Sequence, residues 1–115
     1  MTASSRSLDD LFTVLTPDPE RPVELPAGVA EMRVADFTEG PLASGVWTCG
    51  VGAWDEEDAA AEVMVILEGH VRVTGRDGTV TEARGGEMLQ IPDGWSGRWE
   101  VLEAVRKVWV MTGEV

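Results

Sequence analysis

Glu62 stands as the one charged residue in an otherwise apolar run from Ala61 to Leu67. A carboxylate in such a run is costly to bury alone, so it is expected to be a pocket acid, base or ligand, or half of an ion pair. Its natural partner is Lys107, in the run from Ala104 to Met111. There strand alternation puts Lys107 with Val105 and Trp109 on one face and Arg106 with Val108 and Val110 on the other. If Glu62 and Lys107 both point inward, each keeps the other ionised against desolvation. Facing a pocket, Lys107 would hold a substrate carboxylate or an oxyanion while Glu62 moved a proton. Away from one, the same pair is scaffold. Both readings stay open on the residues alone.

Glu56 and Asp58 lie in the acidic run Asp55 to Asp58, which reads as a solvated loop or as hard-cation ligands. His70, the single histidine, follows Glu68 and Gly69 and is expected at a hairpin rim, where its titration near neutrality makes it worth testing. Cys49 follows Trp47 and Thr48 in an apolar strand and is expected to pack as a small hydrophobe. Five Trp with no Tyr is an unusual balance. Indoles fill cores, and they also wall pockets and stack flat or cationic ligands. Trp99 is the first pocket candidate, followed by Trp47 and Trp109.

These side chains need a scaffold, and the chain changes character along its length. Residues 1–30 read as an arm, with Pro17, Pro19, Pro22 and Pro26 at close intervals disfavouring helix. Within the arm, Ser7 can cap a helix of one or two turns carrying Leu8, Leu11, Phe12 and Leu15 at helical spacing. Residues 31–115 have period two, with Val- and Trp-rich runs broken by Gly-containing turns, the rhythm of an all-β sandwich or barrel. The clearest hairpin joins His70 to Thr74 with Thr79 to Glu82 through Gly75, Arg76, Asp77 and Gly78, and places Val71, Val73 and Val80 on one face. The run around Glu62 reads as a strand covered on both sides. Gly85 and Gly86, and Pro92 to Gly94, supply turns and form no phosphate cradle.

At Gly45 to Cys49, Val65 to Gly69, Gly86 to Trp95 and Val105 to Val108 the chain resembles a cupin, and in particular the cupin domain of ureidoglycine aminohydrolases, over roughly residues 35 to 112. Two spacings carry the likeness: Glu62 followed after six residues by Gly69, and Gly86 followed after five by Pro92. The resemblance implies a single-domain jelly-roll barrel with a pocket in its mouth, often a homodimer. It also implies metal-ligand positions at Glu56, Asp58, Glu62 and Gly97, where metal-binding cupins carry His and Glu. Of the ureidoglycine aminohydrolase set only the leading Glu56 is kept. A carboxylate trio suits manganese or calcium and not zinc or iron. The expected function is binding of a small organic molecule by Glu56, Glu62, Trp99 and Lys107. If the chain is an enzyme, the resemblance points to hydrolysis or lyase-type proton transfer on a nitrogen-containing or carboxylated metabolite. The competing class is a non-catalytic β module or ligand-sensing subunit.

Composition narrows the partners. A chain of 115 residues makes one domain with one core. Nine basic against 21 acidic residues leave a net charge of −12, which repels nucleic acid and anionic lipid. No apolar run reaches the ~20 residues that span a bilayer. A lone cysteine and a polar N-terminal stretch without a signal-peptide core make the cytoplasm the expected location.

Overall fold

The computed structural model describes residues 2–18 and 32–113; Pro19, Pro22 and Pro26 of the arm lie outside the described residues. One helix, α1 (Leu8–Thr13), precedes eight strands: β1 (Thr16–Pro17), β2 (Arg33–Thr38), β3 (Leu42–Cys49), β4 (Gly52–Ala59), β5 (Glu62–Gly75), β6 (Val80–Arg84), β7 (Met88–Ile91) and β8 (Trp95–Thr112). All pairings are antiparallel. The long strands β5 and β8 run through both layers of a jelly-roll barrel. Their Glu62 and Met111 ends join β7 and β3, while their Gly75 and Gly97 ends join β6 and β4.

The change of layer falls at Gly69, where the β5–β8 register shifts. Gly69 has φ +95°, and a Cβ there would strike the Ala104 carbonyl oxygen and lie 2.8 Å from Val105 Cα. Gly78, in the β5–β6 turn, has φ +88° with open space around it. Gly69→Ala therefore combines left-handed strain with displacement of β8 and is expected to cost about 3 kcal/mol, against about 1 kcal/mol of strain alone for Gly78→Ala. Urea unfolding of the two variants checks the difference.

Strand alternation places Trp47, Cys49, Met64, Ile66, Val71, Val73, Leu89, Ile91, Trp99, Val101, Val105 and Trp109 in the barrel interior. A smaller core forms on the outside of the barrel. Ser7 caps α1, its hydroxyl accepting from the Asp10 N–H at 3.1 Å, and Leu11 is buried against Ala35 and Val46. The Arg106 guanidinium lies 4.0 Å over the Phe12 ring, so the start of the arm docks on the barrel wall.

Four local expectations are corrected. Val80 pairs with Thr74 and is 54% exposed, so it shares the outer face, while Thr81 stands opposite the inward Val73. The turn keeps its four residues but falls one position later, at 76–79, with the Gly75 N–H donating to the Thr79 carbonyl. The Glu62 run is fully covered on one side and only partly on the other, since Glu62, Met64 and Ile66 are buried while Val63 is exposed and Val65 and Leu67 are half-buried. His70 lies within β5, buried, with Nε2 2.6 Å from Glu82 Oε1. Glu68 and Gly69 form an irregularity within a strand, not a hairpin turn.

Candidate functional site

Glu62 opens β5, and Lys107, on β8, lies opposite Ile66 on β5 and opposite Trp47 on β3. The lysine stem carries its ammonium back along the barrel interior to 2.8 Å from Glu62 Oε2 and 3.6 Å from Met64 Sδ. Glu62 is 5% and Lys107 2% exposed. The ammonium also lies 4.4 Å from the Trp47 ring centre and 4.9 Å from that of Trp99. Trp54 and Trp99, direct cross-strand neighbours, stack at 5.6 Å and 7°, with Trp47 edge-on to each. The sequence-predicted residues Glu62, Lys107, Trp47 and Trp99 thus meet in one indole-walled cluster whose occupant is the chain's own cation. Ion pairing and the two ring faces together offset the desolvation of the ammonium. Trp109 is also interior, and its Cζ2 would lie 2.9 Å from a Cβ at Gly45, so it fills the space that glycine leaves.

Cys49 shares this interior. Burial pushes its thiol up to about 11, with the Lys107 charge opposing the shift. Because the folded value exceeds the ordinary 9.0, the associated stability is complete below pH 9 and is lost as the pH rises through about 11. The thiol is expected to resist a disulfide reagent at pH 8 and to react only as the chain unfolds. Labelling at the rate of an exposed thiol would contradict this placement.

Glu56, Asp58 and Gly97 do not complete a metal centre with Glu62. The Glu56 carboxylate accepts from Trp54 Nε1 at 3.3 Å. Asp58 is exposed, with φ +50°, and its backbone N–H donates to Ser96 Oγ at 3.0 Å. Gly97 has Glu56 opposite it in register, but a Cβ there would meet the Thr74 carbonyl and fall 2.6 Å from Trp95 Cζ2. The indole of Trp95 takes the space into which a fourth ligand would project. Among the described residues no three His, Cys, Asp or Glu side chains are grouped to hold a metal ion. The manganese or calcium expected from the resemblance does not fit this donor set.

A groove of about 520 Å³ opens elsewhere, between the β5–β6 turn and the β7–β8 turn. Its apolar part is Val73, Ile91 and Trp95, and its polar part is Arg76, Asp77, Thr79, Thr81, Gln90 and Ser96. Gly75 and Gly97 face each other across β5 and β8, and Trp95 lies against both positions. Arg76 is paired with Glu57, and the Asp77 carboxylate accepts the Thr79 N–H at 2.9 Å. Hydrogen bonds from Thr79 hold the Asp77 carboxyl below its ordinary value. None of the sequence-predicted site residues lines this groove. The available signal was the pattern Gly94, Trp95, Ser96, Gly97, an indole flanked by glycines at a strand start.

The EutQ-like cupin domain family matches residues 38–109. A putative ethanolamine utilization protein Q of Salmonella typhimurium is 21% identical, covering 74% of this chain and 72% of that one with a TM-score of 0.60. The Clostridium difficile EutQ protein is 20% identical at a TM-score of 0.66, and this chain, matched over 74% of its length, spans 64% of that protein. A Rhizobium leguminosarum protein of unknown function matches over 99% of this chain and all of its own, with 19% identity and a TM-score of 0.72. No curated protein is significantly similar in sequence, and no helix among the described residues is long and apolar enough to cross a membrane. With a family match across most of the barrel and the same fold in these neighbours, the chain belongs to the EutQ-like cupin domain family.

Proposed function

We propose that this cupin binds a small molecule in the groove beside Trp95 and that the Glu62–Lys107 pair braces the barrel. The carrying observation is the division of labour between the two regions. The interior ammonium is already held by a carboxylate at 2.8 Å and by two indoles, in a cluster almost closed to solvent. The groove instead has the size, apolar floor and convergent polar rim of a small-ligand site. Ligand-observed NMR with a mixture of small polar metabolites tests the proposal on the wild type and on Thr81→Trp, which fills the groove with an indole. Binders detected on the wild type are expected to disappear in Thr81→Trp. Binding that persists there and vanishes in folded Lys107→Met would move the ligand into the interior.

A second reading keeps the interior as a hydrolase or lyase site, with Glu62 moving a proton, Lys107 holding a carboxylate or oxyanion, and Glu56, Trp47, Trp99 and Trp109 around the substrate. One observation favours it. The Nε1 atoms of Trp47 and Trp99 are buried without a hydrogen-bond partner, on the two indoles that flank Lys107. An acceptor carried by a substrate would satisfy such donors. Turnover abolished by Glu62→Gln, with groove binding intact, would support this reading over the first.

A further inference from the structure

Resting on the groove reading above, we propose that the ligand class is a neutral polyhydroxylated ring, a monosaccharide or cyclic polyol, stacked on Trp95. Charge comes first. The chain carries −12, and Arg76, the cation in the groove lining, is exposed and shares its charge with Glu57. Two carboxylates stand nearby, Asp77 in the lining and Asp58 against Ser96 and Gly94. An anionic ligand therefore meets a field of net negative charge, and the one cation lining the groove among the described residues is already shared with a carboxylate.

Hydrogen bonding supplies the second argument. Thr81 offers a hydroxyl that both donates and accepts, Ser96 offers one that already accepts the Asp58 N–H and can still donate, and Gln90 offers an amide that does both. The Asp77 carboxylate accepts from both the N–H and the side chain of Thr79, and a carboxylate has about four acceptor positions, so it can also accept from a ligand hydroxyl. Ring hydroxyls, each donor and acceptor at once, match this mixed set. A purely apolar ligand would leave the set unpaired, and a simple amine would use only the acceptors.

Shape supplies the third. The Nε1–Cζ2–Cη2 edge of the Trp95 indole can come this close to β5 and β8 only because Gly75 and Gly97, paired across the strands, carry no side chains. A Cβ at Gly97 would collide with the indole, and one at Gly75 would fall 2.9 Å from Asp77 Oδ1 and 3.4 Å from Trp95 Nε1. Trp95 is thereby held in the groove lining among hydroxyl-bearing residues, and the proposed ligand packs the C–H face of its saturated ring on this indole while its hydroxyls reach the rim.

Amide and indole N–H chemical shifts of the labelled full chain, titrated separately with glucose, galactose, ribose, inositol, choline and citrate, test the class. Saturable shifts at the Trp95 indole and at Gly75 and Gly94 are expected with at least one sugar or inositol, little changed between 50 and 500 mM salt. Trp95→Leu is expected to weaken that binding at least about ten-fold, and Gln90→Ala and Thr81→Val several-fold. Gln90 and Thr81 lie outside the buried core, so these variants keep the test available if Trp95→Leu fails to fold. Shifts at the same residues with choline or citrate but with no sugar or inositol would overturn the ligand class and leave the groove site standing. No shift there with any of the six would overturn both.

Discussion

Lys107→Met is expected to lower unfolding stability by about 3–5 kcal/mol, because it removes the ammonium bonded to a deeply buried carboxylate without restoring water. The methionine fits the space of the lysine stem, so the loss reads out charge and not volume. Glu62 then loses the 2.8 Å partner that faced it, in an interior where the Trp47 and Trp99 faces had been turned to that cation. Glu62→Gln is expected to cost less than Lys107→Met, since the amide is neutral and still accepts from Lys107. The double variant Glu62→Gln, Lys107→Met is expected to recover part of the single loss, because the buried carboxylate that lost its ammonium is gone. Guanidinium unfolding of all four proteins gives the coupling energy. A Lys107→Met loss below about 1 kcal/mol would show that the pair is hydrated and would remove the brace from the argument. Groove binding measured on the folded fraction is expected to be unchanged.

Trp99→Ala is expected to cost a further class of interaction, about 3–5 kcal/mol of packing. Trp99 is 1% exposed, stacked on Trp54 at 5.6 Å, edge-on to Trp47, and one of the two indoles over the Lys107 ammonium. Truncation leaves a cavity the size of an indole and strips the cation of one ring face. Since Trp99 Nε1 has no hydrogen-bond partner, Trp99→Phe retains an aromatic face without losing a bond, and is expected to cost no more than half as much. Near-ultraviolet circular dichroism checks the assignment, because loss of the Trp54–Trp99 stack should collapse the indole signal in Trp99→Ala. Domains of this size are stable by only about 5–15 kcal/mol, so the measurement belongs at low temperature. An Ala variant as stable as the wild type would mean that the tryptophan cluster is not packed as described.

The inward direction of Lys107 and its meeting with Glu62 were readable from residue order. Strand alternation allows only one of Arg106 and Lys107 to face the interior, and a lone carboxylate in an apolar run needs a compensating charge. The β rhythm, the turns and the Ser7-capped helix are likewise local properties, set within a few residues of one another, and the structure contains them.

What residue order did not determine was where open space lies. Glu62, Lys107, Trp47 and Trp99 have the chemistry of a pocket, yet in the barrel they fill one another's space. The groove instead depends on Gly75 and Gly97 being brought opposite each other from positions 22 residues apart, and on the Trp95 indole lying over them. Alternation assigns a side chain to a face of its own strand. Whether that face meets another side chain or water depends on which distant strands pair, and with what register, so the cavity belongs to the tertiary structure alone.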